Sequence, residues 1–235
     1  MIGISIVIPA YNEEARIIST LNRIDSYCKS NQFDYEIIVV DDGSTDKTRE
    51  VVMKLHNPKV SIISYGENKG KGFAVRTGVL TAKKSHILFS DADLSTPIEE
   101  LSKFLSESAD IVIGSRNLQD SKITVKQPYI RQSLGKAFPI IVEWILLLHI
   151  KDTQCGFKLF TKKAAHTIFR RQYTNGFGFD VEVLFLARKK GYVVKEVPVE
   201  WRNAVGSKVR LFRDVPRMLM DVLWIRWRDF CGCYN

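Results

Sequence analysis

His86-Ile87-Leu88-Phe89-Ser90-Asp91-Ala92-Asp93 sets an apolar run of strand length against two carboxylates at i and i+2. A short continuous apolar run fits a strand covered on both faces. In an open α/β sheet, ligands bind beyond the carboxyl ends of such strands. Two aspartates placed there can converge on one hard divalent cation, Mg²⁺ or Mn²⁺, whose remaining ligands are substrate phosphates and water. Aspartate is also a common turn residue, so the pair alone reads equally as a solvated strand end. The segments around it decide the matter.

Working outward, Ile4–Pro9, Tyr35–Val40, Val60–Ser64 and Asp110–Gly114 are further apolar runs of strand length. Between them lie helical patterns: Ile17, Leu21 and Ile24 within Glu13–Tyr27, a stretch over Gly72–Lys83, and one from Pro97 with Ile98, Leu101 and Leu105 on a single face. Thr45-Asp46-Lys47-Thr48 can cap the helix that follows it. This alternation predicts an α/β fold with a mostly parallel, Rossmann-like central sheet flanked by helices. Farther on, Gln119–Gln127 reads as a polar loop, helices are expected over about 130–148, 162–170 and 180–190, Val193–Val199 as a strand, and a last helix from near Pro216. No linker divides the chain.

Acids recur at the end of the second run, Asp41-Asp42, and a parallel sheet would gather them with Asp91 and Asp93 along one edge. Such an edge can grip the ribose or base of a nucleotide at one point and its metal-bound diphosphate at another. Pro9-Ala10-Tyr11-Asn12-Glu13 follows the first strand directly. Tyr11 can stack on a base and Glu13 can accept from it, while Asn12 also reads as a helix N-cap. Asn68-Lys69-Gly70-Lys71-Gly72 opens a helix with two lysines, a phosphate neighbour, and is neither a dinucleotide fingerprint nor a P-loop.

The 235 residues carry 35 Lys and Arg against 26 Asp and Glu, a net charge of +9. That favours an anionic partner: nucleic acid, a phosphorylated substrate or an acidic membrane face. The acidic edge argues against nucleic acid, because without metal it would repel a polyanion. Cys28, Cys155, Cys231 and Cys233 form no zinc pattern, and Met1-Ile2-Gly3 runs straight into an apolar run, so a reduced, cytosolic protein is expected. The longest apolar stretch, Ala137–Ile150, holds Glu143 and falls short of the roughly 20 residues a membrane-spanning helix needs; membrane contact is expected to be peripheral. Met218-Leu219-Met220, Val222-Leu223-Trp224-Ile225 and Trp227 are apolar, with Arg217, Asp221 and Arg228 on one helical face. Such a helix suits a membrane interface or a core position, and the same choice arises for Phe138–Ile150. Asp180 and Glu182 can bind sugar hydroxyls or act as a base, or simply be first-turn acids of a helix; Asp152 can orient a sugar or a metal.

SIVIPAYNEE (5–14), VVDDGSTDKT (39–48), NKGKG (68–72), FSDADLSTP (89–97) and VIGSR (112–116), in this order and spacing, closely resemble the family 2 glycosyltransferases of the GT-A type. DTQCGFK (152–158) and FDVE (179–182) are similar to the dolichyl-phosphate glucosyltransferase branch; EWR (200–202) and GSK (206–208) fit the wider dolichyl-phosphate hexosyltransferase group. The resemblance implies one GT-A domain over 1–235, with a nucleotide-sugar half (1–116) and an acceptor half (117–235) bearing interfacial helices. It implies that Pro9, Ala10, Tyr11, Glu13 and Asp42 line the nucleotide pocket, and that Asp91 and Asp93 hold Mg²⁺ or Mn²⁺ on the donor diphosphate. Arg116, Arg131, Arg202 and Lys208 would meet donor and acceptor phosphates, with Asp152 and Asp180 near the reacting sugar. The implied reaction is an inverting transfer from UDP-glucose, or alternatively GDP-mannose, to dolichyl or polyprenyl phosphate at the cytoplasmic face of a membrane. Mannosyl relatives carry Gln two places after the second Asp; Ser95 stands there, which weakens a mannosyl assignment. A polysaccharide or glycan acceptor is the rival, and it would need a general base.

Overall fold

The structure, a computed structural model, describes residues 2–124, 129–202 and 211–235; of residues 129–137 and 211–212 only the backbone is described. The first half alternates as expected: β1 (Gly3–Ala10), α1 (Ile17–Ser30), β2 (Asp34–Asp41), α2 (Thr48–Met53), β3 (Val60–Ser64), α3 (Lys71–Thr81), β4 (His86–Ser90), a 3₁₀ turn (Ile98–Glu100) running into α4 (Leu101–Leu105), and β5 (Ile111–Ser115). Then come β6 (Lys122–Ile123), α5 (Tyr129–Leu146), β7 (Phe157–Thr161), α6 (Lys162–Phe169), α7 (Phe179–Lys189), β8 (Val194–Pro198), β9 (Glu200–Trp201) and α8 (Leu211–Phe230).

Seven strands form one sheet in the order β3-β2-β1-β4-β7-β5-β8, and β6 pairs with β9 in a separate ribbon. Neighbours are parallel except at β7, which runs antiparallel to both β4 and β5. Both faces of the sheet are covered. Val7, Ile38, Val40, Ile87 and Phe89 pack under α3, α6 and α7 on one side. Ile4, Ile6, Ile8, Ile37, Val39 and Leu88 pack under α1 and α4 on the other. Two buried faces are why these strands read as unbroken apolar runs.

Four details differ from the sequence reading. β7 was not expected; its reversed direction makes it enter the sheet where its parallel neighbours leave it, with Phe157 opposite Ser90. α1 starts at Ile17 rather than Glu13: Asn12 has φ +54, and its Oδ1 accepts from Thr45 N (2.8 Å) instead of capping a helix. α8 begins at Leu211, so Pro216 lies inside it. The segment read as a loop over Gln119–Gln127 contains β6. The N-cap of α2 is Lys47, whose side chain makes no capping bond; Asp46, one residue earlier, accepts from Thr48 N at 2.9 Å through its Oδ1.

Candidate active site

Because β1, β2, β3, β4 and β5 are parallel or lie in one register across β7, their carboxyl ends bring Tyr11, Asp42, Tyr65, Asp91 and Arg116 to one edge of the sheet. β7 delivers the segment Asp152–Gly156 to the same edge from the opposite direction. Asp91 N donates to Gly156 O at 3.1 Å, and a Cβ at Gly156 would sit 1.9 Å from Asp91 Oδ2. Glycine is required there so that the Asp91 carboxylate can rest against the backbone.

Asp91 is partly exposed, and its Oδ1 accepts from Lys71 Nζ at 2.7 Å. Asp93 is also partly exposed; its Oδ1 accepts from Ser95 N at 2.9 Å. Between Asp93 and Ser95, Leu94 is buried with φ +46, a left-handed conformation that a branched side chain rarely takes and that marks functional turns. Glu13 accepts from Arg16 Nε and, at 3.1 Å, from Nη2. That bond, with the charges of Asp93 and Asp91 behind it, raises the affinity of Arg16 for its proton against the effect of burial. Tyr11 is exposed.

Asp42 is spent on the loop before α3. Its carboxylate accepts from Asn68 Nδ2 (3.0 Å), Lys69 N (2.8 Å) and Gly70 N (3.0 Å), so it shapes the floor of the edge. Gly72 N and Phe73 N donate to Asn175 O at 2.7 and 3.2 Å. The amides of Gly72 and Phe73 are therefore taken, and the lysine side chains of 68–72 are what the segment extends towards a phosphate. A hollow of about 480 Å³ opens farther along the edge between Asp41, Ser44, Lys47, Ser64 and Tyr65; neither Asp91 nor Asp93 lines it.

The acids of the second half are tied into ion pairs. Asp152 is buried and accepts from Arg116 Nε (2.7 Å), Nη2 (2.8 Å) and backbone N (2.9 Å). Burial pushes this carboxyl up, and the guanidinium more than offsets it, leaving Asp152 below the usual carboxylate range. Arg116 also lies 5.5 Å over the Trp201 ring, which gives Trp201 of the EWR motif a task. Asp180, at the first turn of α7, is paired with Lys158; Lys158 is 1% exposed and also donates to Cys155 O at 2.7 Å. Glu182 is fully buried and accepts from Tyr173 N, Thr174 N and Tyr234 Oη. It is therefore a structural acid, and no base. Arg202 pairs with Glu200 at 2.8 Å, while its backbone N donates to Ser95 O at 2.8 Å and so brings β9 against the Asp93 turn. Lys208 and the side chain of Arg131 lie outside the described residues.

Arg16, Lys71 and Lys158 stand around the acidic edge, and the sequence reading gave none of them a role by itself. The signal was weak: each cation is distant in sequence from at least one carboxylate whose field it feels.

Among the described residues no three or more His, Cys, Asp or Glu side chains gather to hold a cation on their own. A pair of carboxylates suits a cation that fills its shell with phosphate oxygens and water, and Asp91 with Asp93 fits Mg²⁺ or Mn²⁺ in that way. Thr153 Oγ1 and Gln154 Nε2, next to Asp152, are buried without a partner among the described residues, an arrangement that ordinarily marks a place where a ligand or water bonds.

Comparison with known proteins agrees with this geometry. The chain is 36% identical over its whole length to a dolichyl-phosphate beta-glucosyltransferase of Dictyostelium discoideum, 77% of which it spans. It is 37% identical to the enzyme of that name from Saccharomyces cerevisiae, again over the whole chain and 77% of the relative. Among solved structures, mannosyl-3-phosphoglycerate synthase from Rubrobacter xylanophilus superposes with a TM-score of 0.71 at 18% identity, covering 98% of this chain and 74% of that one. Glucosyl-3-phosphoglycerate synthase from Mycobacterium tuberculosis, in complex with Mn²⁺, UDP and glucosyl-3-phosphoglycerate, gives 0.69 at 20%, covering 98% and 80%. These two share the GT-A fold with this chain. Residues 5–176 match the family described as Glycosyl transferase family 2, a stretch that holds the strand-end residues from Tyr11 to Gly156, and the chain is accordingly a glycosyltransferase of family 2.

Proposed function

We propose that this chain transfers glucose from UDP-glucose to dolichyl or polyprenyl phosphate, with inversion, using Mg²⁺ or Mn²⁺ held by Asp91 and Asp93. In this reading residues 1–116 grip the donor and 117–235 the acceptor. The observation that carries it is the gathering of Asp91, Asp93, Lys71 and Arg116 at one sheet edge in a chain whose full-length relatives are named for this reaction. The UDP and Mn²⁺ complex of the glucosyl-3-phosphoglycerate synthase fold supports the choice of donor and cation.

A bound divalent cation would neutralise the charge that develops on the leaving diphosphate. Everything else falls to side chains of this chain. Tyr11 stacks on the base, and Asp42 holds the Asn68–Gly70 loop beneath the nucleotide. Lys71 and Arg116 add positive charge where the phosphates lie, and Asp152 orients Arg116. A lipid phosphate is already an anion, so it needs positioning and charge screening more than deprotonation. The state of Asp180 and Glu182 supports such an acceptor. One is ion-paired to Lys158 and the other is sealed under Tyr173 and Tyr234, which leaves neither available as the base an alcohol acceptor would require.

The outer helices support a lipid-facing site. On α8, Met218, Val222 and Ile225 are buried, while Met220, Leu223, Trp224, Trp227 and Phe230 are exposed. On the adjoining α5, Ile140 and Ile141 are exposed and Trp144 is 82% exposed, and Leu147 just beyond it is exposed too. Of the charges on α8, Arg228 lies 5.2 Å over Tyr173 and Asp221 packs on Gly178, while Arg217 and Arg226 are exposed. Exposed aromatics accompanied by exposed basic residues are the pattern of a surface that meets lipid. No helix among the described residues is long and apolar enough to cross a membrane, and in this reading the helices α5 and α8 make a peripheral contact. The free thiols Cys28, Cys155, Cys231 and Cys233 fit the reducing, cytoplasmic side.

Two measurements test this. A panel of UDP- and GDP-sugars with Mn²⁺ and a short polyprenyl phosphate is expected to give glucosyl lipid from UDP-glucose, with product abolished by EDTA. Mannosyl lipid from GDP-mannose in its place would move the chain to the mannosyl group. The double variant Trp144→Ser/Trp227→Ser is expected to lower co-sedimentation with anionic vesicles by about tenfold or more, through lost apolar burial, with an unchanged circular dichroism spectrum; undiminished binding would contradict the lipid-facing assignment.

A further inference from the structure

The ammonium of Lys71 already sits on the oxygen a metal would need. Lys71 Nζ is 2.7 Å from Asp91 Oδ1 and 5.2 Å from the centre of the Phe89 ring. Its position is fixed from behind. A Cβ at Gly72 would lie 2.5 Å from Thr174 O and 2.6 Å from Phe179 Cβ, so the start of α3 is wedged against the segment before α7. Burial pulls the Lys71 ammonium down, but Asp91, Asp180 and Asp93 together outweigh it and hold the side chain charged.

The surrounding charges leave Lys71 one direct partner. Asp180 is taken by Lys158 and Glu13 by Arg16, and Asp93 Oδ1 accepts from Ser95 N. Asp91 Oδ2 lies nearest the Gly156 backbone, and Oδ1 is the oxygen that Lys71 holds. An ammonium and a divalent cation cannot both sit against that oxygen without strong repulsion. The amides of Gly72 and Phe73 are bonded to Asn175 O and those of Lys69 and Gly70 to Asp42. With these amides committed, the lysine side chains are what this loop extends towards an incoming anion, and Lys71 is the one at Asp91.

We propose that Lys71 is an exchangeable counter-ion, which holds Asp91 in the pairing seen here and transfers its ammonium to the diphosphate when a nucleotide sugar arrives with its cation. Divalent cation alone must then compete with Lys71 for Asp91 and binds weakly; the nucleotide draws the ammonium away and opens the carboxylate. Cation and nucleotide binding are thereby coupled, each strengthening the other by the same factor. This deepens the proposed function and rests on its assignment of Asp91 and Asp93 to a metal-bound donor.

The test is Mn²⁺ binding measured calorimetrically on the full chain, with and without UDP, for wild type, Lys71→Met and Lys71→Arg. Without UDP, Lys71→Met is expected to bind Mn²⁺ about tenfold tighter than wild type, the scale of one close charge pair at a partly solvated site, and Lys71→Arg to stay near wild type. With UDP and Mn²⁺ together, Lys71→Met is expected to bind UDP about tenfold more weakly, having lost a phosphate partner. Lys71→Gln serves in the same way if Lys71→Met does not fold. Mn²⁺ affinity that is unchanged or weaker in the neutral variants without UDP overturns the exchange. Wild type that takes up no Mn²⁺ even with UDP overturns instead the donor reading beneath it.

Discussion

Asp93→Ala is expected to abolish glycosyl transfer while the protein stays folded. The wild-type side chain is partly exposed and among the described residues makes one hydrogen bond, accepting from Ser95 N at 2.9 Å, whose loss costs about 1 kcal/mol. Against that small structural cost stands half of the proposed two-carboxylate cation site. A metal stabilises the charge developing on a leaving phosphate by several kcal/mol, so its loss lowers turnover by roughly a thousandfold or more. The check is product formation beside a thermal unfolding curve: near-normal turnover, or a collapse of the fold, would contradict the assignment. Glu200, by comparison, also lies near this turn but spends its carboxylate on Arg202, and it has no part in the prediction.

Arg116→Ala is expected to have the largest effect on stability. It leaves Asp152 buried without the guanidinium that gives it two hydrogen bonds, and breaking a buried ion pair from one side costs about 3–5 kcal/mol. In a chain of this size that is a fall in Tm of about 10 °C. Removing both partners in Arg116→Ala/Asp152→Ala relieves the unpaired charge, so the double variant is expected to be more stable than the sum of the single effects implies. Arg116→Lys keeps the charge but loses the two-pronged geometry, and is expected to fall between. Additive losses in the double-mutant cycle would show that the pair is not coupled as described.

The legibility of this fold follows from its burial. β1, β2 and β4 lie in the middle of the sheet with both faces covered, so their sequences are apolar runs, ending in acids for β2 and β4 and in Pro9-Ala10 before Tyr11 for β1, and the edge they form could be anticipated. β7 was hidden because Lys158 is the second of its five residues. A lysine inside a strand reads as an exposed position, and here it is buried only because Asp180, 22 residues away, meets it. The site divides along the same line. Asp91, Asp93, Tyr11 and Asp42 come from strand ends and were legible. The partners that decide what those carboxylates can do are long-range: Lys71 for Asp91, Arg116 for Asp152, Tyr234 for Glu182. No local pattern announces such pairs. The left-handed Leu94 was unreadable, since leucine does not signal that conformation, whereas Asn12, of a residue type enriched there, reads from the sequence as an N-cap.

Calorimetric binding of UDP-glucose with Mn²⁺ and with EDTA tests most directly whether the strand-end carboxylates hold a metal-bound donor. Coupling through a cation shared by Asp91, Asp93 and the diphosphate predicts affinity at least about tenfold higher with Mn²⁺, and loss of that difference in Asp93→Ala. Equal affinity in EDTA and in Mn²⁺, or a metal effect that survives in Asp93→Ala, would contradict the account.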